Sequence, residues 1–79
     1  MPIPPHRRAF GERVRELRQQ LGMSQEAFAH TAGFDRTYIS GIERGIRNPT
    51  IDVVYRLADA LGCPVTRLFA DDGQQPATR

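Results

Sequence analysis

Between Arg36 and Arg44 the chain combines side chains that can read hydrogen-bond patterns with a spacing that presents them together. On a helical wheel at about 100° per residue, Ile39 and Ile42 fall on one side and Thr37, Ser40, Gly41 and Arg44 on the other, flanked by Arg36 and Tyr38. A helix that buries two isoleucines and shows hydroxyls, a glycine and arginines has a face free to lie against something else. The planar fork of arginine matches paired acceptors, and the major groove of duplex DNA is wide enough for one helix and lined with such acceptors. A polar helix face taken alone is more often merely solvated; here the surrounding pattern reverses the odds. Packing of Thr37, Ser40 and Arg44 under another part of the same molecule would remove the reading.

The elements that must hold this helix are legible around it. Ser24 is a good N-cap for a preceding short helix, with Gln25 and Glu26 in its first turn and Ala27, Phe28 and Ala32 facing inward. Gly33 ends that helix by taking the left-handed conformation, Phe34 plugs the turn, and Asp35 caps the next helix. Upstream, Phe10, Val14, Leu17 and Leu21 form the apolar stripe of a helix starting near His6 or Arg7 and stopped by Gly22. Its arginines, Arg7, Arg8, Arg15 and Arg18, are within reach of a phosphate backbone in principle, but such charges ordinarily keep an amphipathic helix wet. Downstream, Asn48 before Pro49 favours an extended loop, and Thr50 caps a fourth helix. Val54, Leu57, Ala58 and Leu61 are its buried stripe. Pro64 can open a fifth, short helix as its first residue, carrying Val65, Leu68 and Phe69.

The fold class expected is all-α, five helices in one domain over residues 6–70, with flexible termini at 1–5 and 71–79. The last two helices carry more apolar surface than a small core needs. Ile51, Tyr55, Val65, Leu68 and Phe69 are therefore candidates for burial against a second copy; the competing expectation, favoured for Leu68, is that Val65, Leu68 and Phe69 complete the monomer core.

Bulk composition bounds the function. A chain of 79 residues can bury a sufficient core without metal or disulfide, and its single Cys63 has no His or Cys at ligand spacing, so no metal or cofactor is expected. All 11 basic residues are arginine, and up to Asn48 there are 8 Arg against 5 Asp and Glu, compared with 3 against 4 from Pro49 onward. The positive charge therefore belongs to the part holding the helix pair. The start, MPIPPHRR, lacks the apolar core of a secretion signal and no apolar run could span a membrane, so a soluble, cytoplasmic chain is expected. An enzyme is disfavoured: His6 and His30 are far apart without a paired nucleophile, and there is no phosphate-binding glycine loop.

The order Ser24-Gln25-Glu26, Ala29, Gly33, Tyr38-Ile39-Ser40, Ile42-Glu43-Arg44-Gly45, Arg47-Asn48-Pro49 and Leu57-Ala58-Ala60-Leu61-Gly62 resembles the repressor-type helix-turn-helix (XRE) family that includes the phage lambda repressor and Cro. The likeness runs from about Phe10 to Phe69. More narrowly, DRTYISGIERGIRN is similar to the recognition segment of restriction-modification controller proteins, which are short, single-domain dimers. The resemblance implies a compact five-helix, lambda-repressor-like domain that binds double-stranded DNA as a homodimer on a two-fold operator. It implies base reading by Arg36, Thr37 and Ser40, and backbone contacts by Gln25, Tyr38, Arg44, Arg47 and Asn48. Gly41 stands where other members carry a longer reader, and Glu43 at the core edge suits a structural ion pair. A dimer near a promoter can block RNA polymerase or, placed upstream, recruit it; both remain open. The rival from another class is an antitoxin-like interaction module that masks a partner protein.

Overall fold

The computed structural model describes residues 2–69, and its first helix, α1, spans Pro5–Gln20. Proline suits that start, because its fixed φ fits a first turn whose N–H groups lack helical partners anyway. The Pro4 carbonyl accepts the amides of Arg7 and Arg8 at 3.0 and 3.1 Å. Helix formation thus begins ahead of His6, and the segment before it is tethered: Ile3 is half-buried beside Gly45. The expected tail, 71–79, lies outside the described residues.

Phe10, Val14 and Leu17 are buried as their spacing predicts, whereas Leu21 is exposed. The chain turns at Leu21 and Gly22, so the stripe never completes its next inward position; Gly11 and Arg18 are the other buried residues of α1. Two short helices follow, α2 over Gln25–Ala32 and α3 over Arg36–Glu43. α2 buries Phe28, Ala29 and Ala32; Ala27, expected inside, lies across the helix from Ala29 and is exposed. α4 spans Ile51–Leu61, capped by Thr50 Oγ1, which accepts the Val53 amide at 3.2 Å, and it buries Val54, Leu57, Ala58 and Leu61.

The fifth element is a 3₁₀ turn, Val65–Phe69, and not an α-helix; Pro64 precedes it, its carbonyl accepting the Arg67 amide at 2.9 Å. So short a segment lacks the length to repay an α-helical nucleus, and its purpose is to deliver one side chain. That side chain is Leu68, which at 1% exposure belongs to the monomer core and not to a dimer surface. Val65 is half-buried against the same core. Ile51, Tyr55 and Phe69 stay 68%, 54% and 62% exposed, although the Phe69 ring lies 5.3 Å from that of Phe10.

Val14, Phe28, Ile39, Ile42, Leu57 and Leu68 are each almost wholly buried, so every element places at least one side chain in the centre and α3 places two. Full burial of such a residue contributes about 1.5–3 kcal/mol. α3 is therefore held from behind, leaving its other side to the surface. Among the described residues, no helix is long and apolar enough to cross a membrane.

Candidate nucleic-acid interface

Backbone chemistry sets the angle between α2 and α3. Ser24 Oγ accepts the Ala27 amide at 3.0 Å, supplying one of the partners that a helix start lacks. At the other end Gly33 takes φ +81°, and the amides of Gly33 and Phe34 both return to the Ala29 carbonyl at 2.8 Å. That left-handed step redirects the chain within three residues, a turn that a residue with a Cβ would strain. Asp35 occupies the N-cap position of α3 with extended backbone, but its side chain makes no capping bond; only its carbonyl serves, accepting the amides of Tyr38 and Ile39 at 3.1 Å. Ser24→Ala should therefore lower stability by about 1 kcal/mol, measured by urea denaturation, with Asp35→Ala costing clearly less.

α3 turns outward as its wheel predicts. Arg36, Thr37 and Arg44 are exposed, Ser40 and Tyr38 are half-buried, and Ile39 and Ile42 are hidden. No other element covers Thr37 or Arg44, whose one side-chain bond, from Nε to the Ser40 carbonyl at 3.4 Å, stays within its own helix. Gly41 departs from expectation. It is buried beneath Arg47, and a Cβ there would come within 2.8 Å of Arg47 Cγ. The Gly41 carbonyl accepts the amides of Ile46 and Arg47 at 2.9 and 3.3 Å, so the chain leaving α3 folds back over it. Arg47 belongs to the loop just beyond the end of α3, and its side chain reaches back across the helix, placing its guanidinium 5.4 Å from the Tyr38 ring centroid. Asn48 is exposed next to it.

A buried polar network fastens α3 to the helices behind it. Arg18 donates from Nε and Nη2 to the two carboxylate oxygens of Glu43, at 2.6 and 3.1 Å, and from Nη1 to the Met23 carbonyl at 2.7 Å. Gln25 Nε2 donates to the same carboxylate at 3.0 Å, while Gln25 Oε1 accepts from Arg36 Nη1 at 3.4 Å. Glu43 thus has the structural partner expected of it. Gln25, expected at a phosphate, has a further duty here: its amide joins the buried ion pair to the first arginine of α3. Among the described residues no buried side-chain polar atom lacks a partner.

This network also sorts the arginines of α1. Arg18 is consumed in the core and Arg7 donates to the Gly45 carbonyl at 2.8 Å, so neither is free for a phosphate; Arg8 and Arg15 are exposed. Sequence reading missed two residues that shape the surface. Gly11 lets α1 touch the backbone of α3, and Arg56 of α4 donates to the carbonyls of Ala32 and Gly33 at 3.0 and 3.2 Å. Neither carries a local signal: a helical glycine and an outward arginine look unremarkable until the facing helix is in place.

A glycine-linked helix pair whose second member is anchored from behind and presents arginine and hydroxyl groups to solvent is a helix-turn-helix DNA-binding domain. The chain belongs to the helix-turn-helix family HTH_3, whose model matches residues 14–68. Control protein C.BamHI of Bacillus amyloliquefaciens is 46% identical over 54 residues, covering 67% of this chain and 67% of its own. Among solved structures, the restriction-modification controller protein C.AhdI from Aeromonas hydrophila superposes with a TM-score of 0.77 at 45% identity, covering 78% of this chain and 94% of its own. The controller protein C.Esp1396I, solved as a tetramer in complex with its natural 35 base-pair operator, gives a TM-score of 0.77 at 33% identity over 84% of this chain and 87% of its own.

Proposed function

We propose that this protein is a sequence-specific, double-stranded DNA-binding transcriptional regulator that acts in the cytoplasm as a homodimer on a two-fold operator, controlling a restriction-modification system and catalysing no reaction. The observation that carries the reading is the outer side of α3, where Arg36, Thr37 and Ser40 remain at the surface while Ile39 and Ile42 hold the helix from behind. Inserted in a major groove, Arg36, Thr37 and Ser40 read base edges. Tyr38, Arg44, Arg47, Asn48 and the start of α2 at Gln25 face the sugar-phosphate chain on either side and set the register. The likeness to controller proteins, one of them bound to its operator, supports the same assignment.

Three readers on one domain discriminate too few base pairs for a genome, so two copies must combine. Ile51, Tyr55 and Phe69 are exposed apolar side chains suited to the contact between them, with Val65 at its edge. Duplexes selected from a random pool by the full chain should show two-fold half-sites about one helical turn apart. Arg36→Ala should flatten preference at one base pair of each half-site, a loss of about 1–3 kcal/mol per contact. Arg47→Ala should weaken binding to every duplex and reduce the salt slope by about one. Recovery of no preferred sequence, or variants that bind like the parent in gel-shift titrations, would overturn the proposal.

A further inference from the structure

Four side chains from four parts of the chain form a continuous stack across the helix-turn-helix surface. The Arg56 guanidinium lies 4.2 Å from the centroid of the Phe34 ring, Phe34 and Tyr38 have centroids 5.1 Å apart at a 40° tilt, and Arg47 sits 5.4 Å over Tyr38. The series runs from α4, across the turn, onto α3 and into the loop that follows. Its two cations differ in how firmly they are held. Arg47 rests on Tyr38 and on the space left by Gly41, with no side-chain hydrogen bond among the described residues. Arg56 is held in two ways: its guanidinium carbon sits over Phe34, and Nη2 donates to the carbonyls of Ala32 and Gly33, which the end of α2 leaves without helical partners.

We propose that Arg56 is a positioning residue for DNA contact: through Phe34 and Tyr38 it holds Arg47 over the open face of α3, though it touches no DNA itself. This rests on the DNA-binding reading above and extends it to a residue on the far side of the turn. An arginine at a surface ordinarily samples many rotamers, and freezing one on binding costs affinity; a cation already stacked on a ring has met part of that cost. Each exposed cation–ring contact favours the stacked state by about twofold to fivefold, and the tilted ring pair between them transmits the placement because the two rings cannot move independently. Lysine cannot replace Arg56, since a point-like ammonium does not lie flat on Phe34 while donating sideways to two carbonyls.

The test is a double-mutant cycle on the full chain, binding the duplex selected by the parent protein and a scrambled duplex of equal length, read by fluorescence anisotropy over a range of salt. Arg56→Lys keeps the net charge and should raise Kd for both duplexes by about fivefold, the effect of one released cation–ring contact. In an Arg47→Ala background it should change Kd by less than about twofold, because nothing is left to position. Phe34→Leu, which keeps an apolar plug and removes the ring, should behave the same way and stands in if Arg56→Lys does not fold. Equal losses with and without Arg47 would mean that Arg56 only shapes the turn, and an unchanged Kd in the parent background would mean that it positions nothing; either result overturns the inference while leaving the regulator reading intact. A parent chain that selects no duplex at all overturns both.

Discussion

Glu43→Ala is expected to destabilise the domain by about 3–5 kcal/mol, because it leaves the Arg18 guanidinium charged, desolvated and unpaired. Arg18 and Glu43 are only 8% and 5% exposed, and both carboxylate oxygens are occupied, so water cannot move in to replace the missing partner without opening the contact between α1 and α3. Small domains have total stabilities toward the low end of roughly 5–15 kcal/mol, so a loss of this size removes most of it. Urea denaturation followed by circular dichroism measures the change directly. Replacing both partners with apolar residues, Arg18→Met with Glu43→Leu, should recover much of the loss, since the penalty arises from one orphaned charge more than from the missing attraction. The double variant should nevertheless bind DNA less well, because Gln25 loses the carboxylate that orients its amide toward Arg36. A single-variant cost below about 1 kcal/mol would show that the pair behaves as a solvated surface bridge.

Gly11→Ala should cost about 3 kcal/mol, the upper end of what overpacking usually costs. Inside a helix with open surroundings the same change gains about 1 kcal/mol, so the sign itself is informative. At Gly11 an added Cβ would lie 2.3 Å from the Ile42 carbonyl oxygen and 2.6 Å from that of Glu43. Those are backbone atoms of α3 and cannot rotate aside, so α1 and α3 must separate. Gly41 makes the contrast: there the obstructing atoms belong to the side chain of Arg47, which can swing away. Displacing α3 also disturbs the buried ion pair and the angle of the recognition surface. Gly11→Ala is therefore expected to reduce both the urea midpoint and operator affinity at temperatures where it remains folded. A stability equal to or above that of the parent protein would mean that the helices do not approach so closely.

The order of residues alone was enough for most of what depends on neighbours a few positions apart. The stripe of Phe10, Val14 and Leu17, the caps at Ser24 and Thr50, the reversal at Gly33 and the opposition of Ile39 and Ile42 to Thr37 and Arg44 follow from helical period and backbone freedom, and the structure shows each of them. Local rules also overreached in predictable ways. They extended the first stripe to Leu21, where the helix has already ended, and turned Ala27 inward, where the structure leaves it exposed; for Leu68, named for a dimer surface but favoured for the monomer core, the core reading holds.

Contacts between elements were decided only by folding. Arg18 borders the apolar stripe of α1, where an arginine ordinarily stays wet, yet it is buried, because Glu43 arrives from a helix 25 residues later and supplies the counter-charge that makes burial tolerable. Gly11 and Arg56 owe their importance to the backbone of Ile42 and Glu43 and to Phe34, which come near only when helices dock, and Gly41 owes its own to Arg47, carried back over it by the loop that follows α3. Helical periodicity tells which way a side chain points and is silent on what will stand opposite it; that depends on crossing angles and close approach, which are properties of the packed chain.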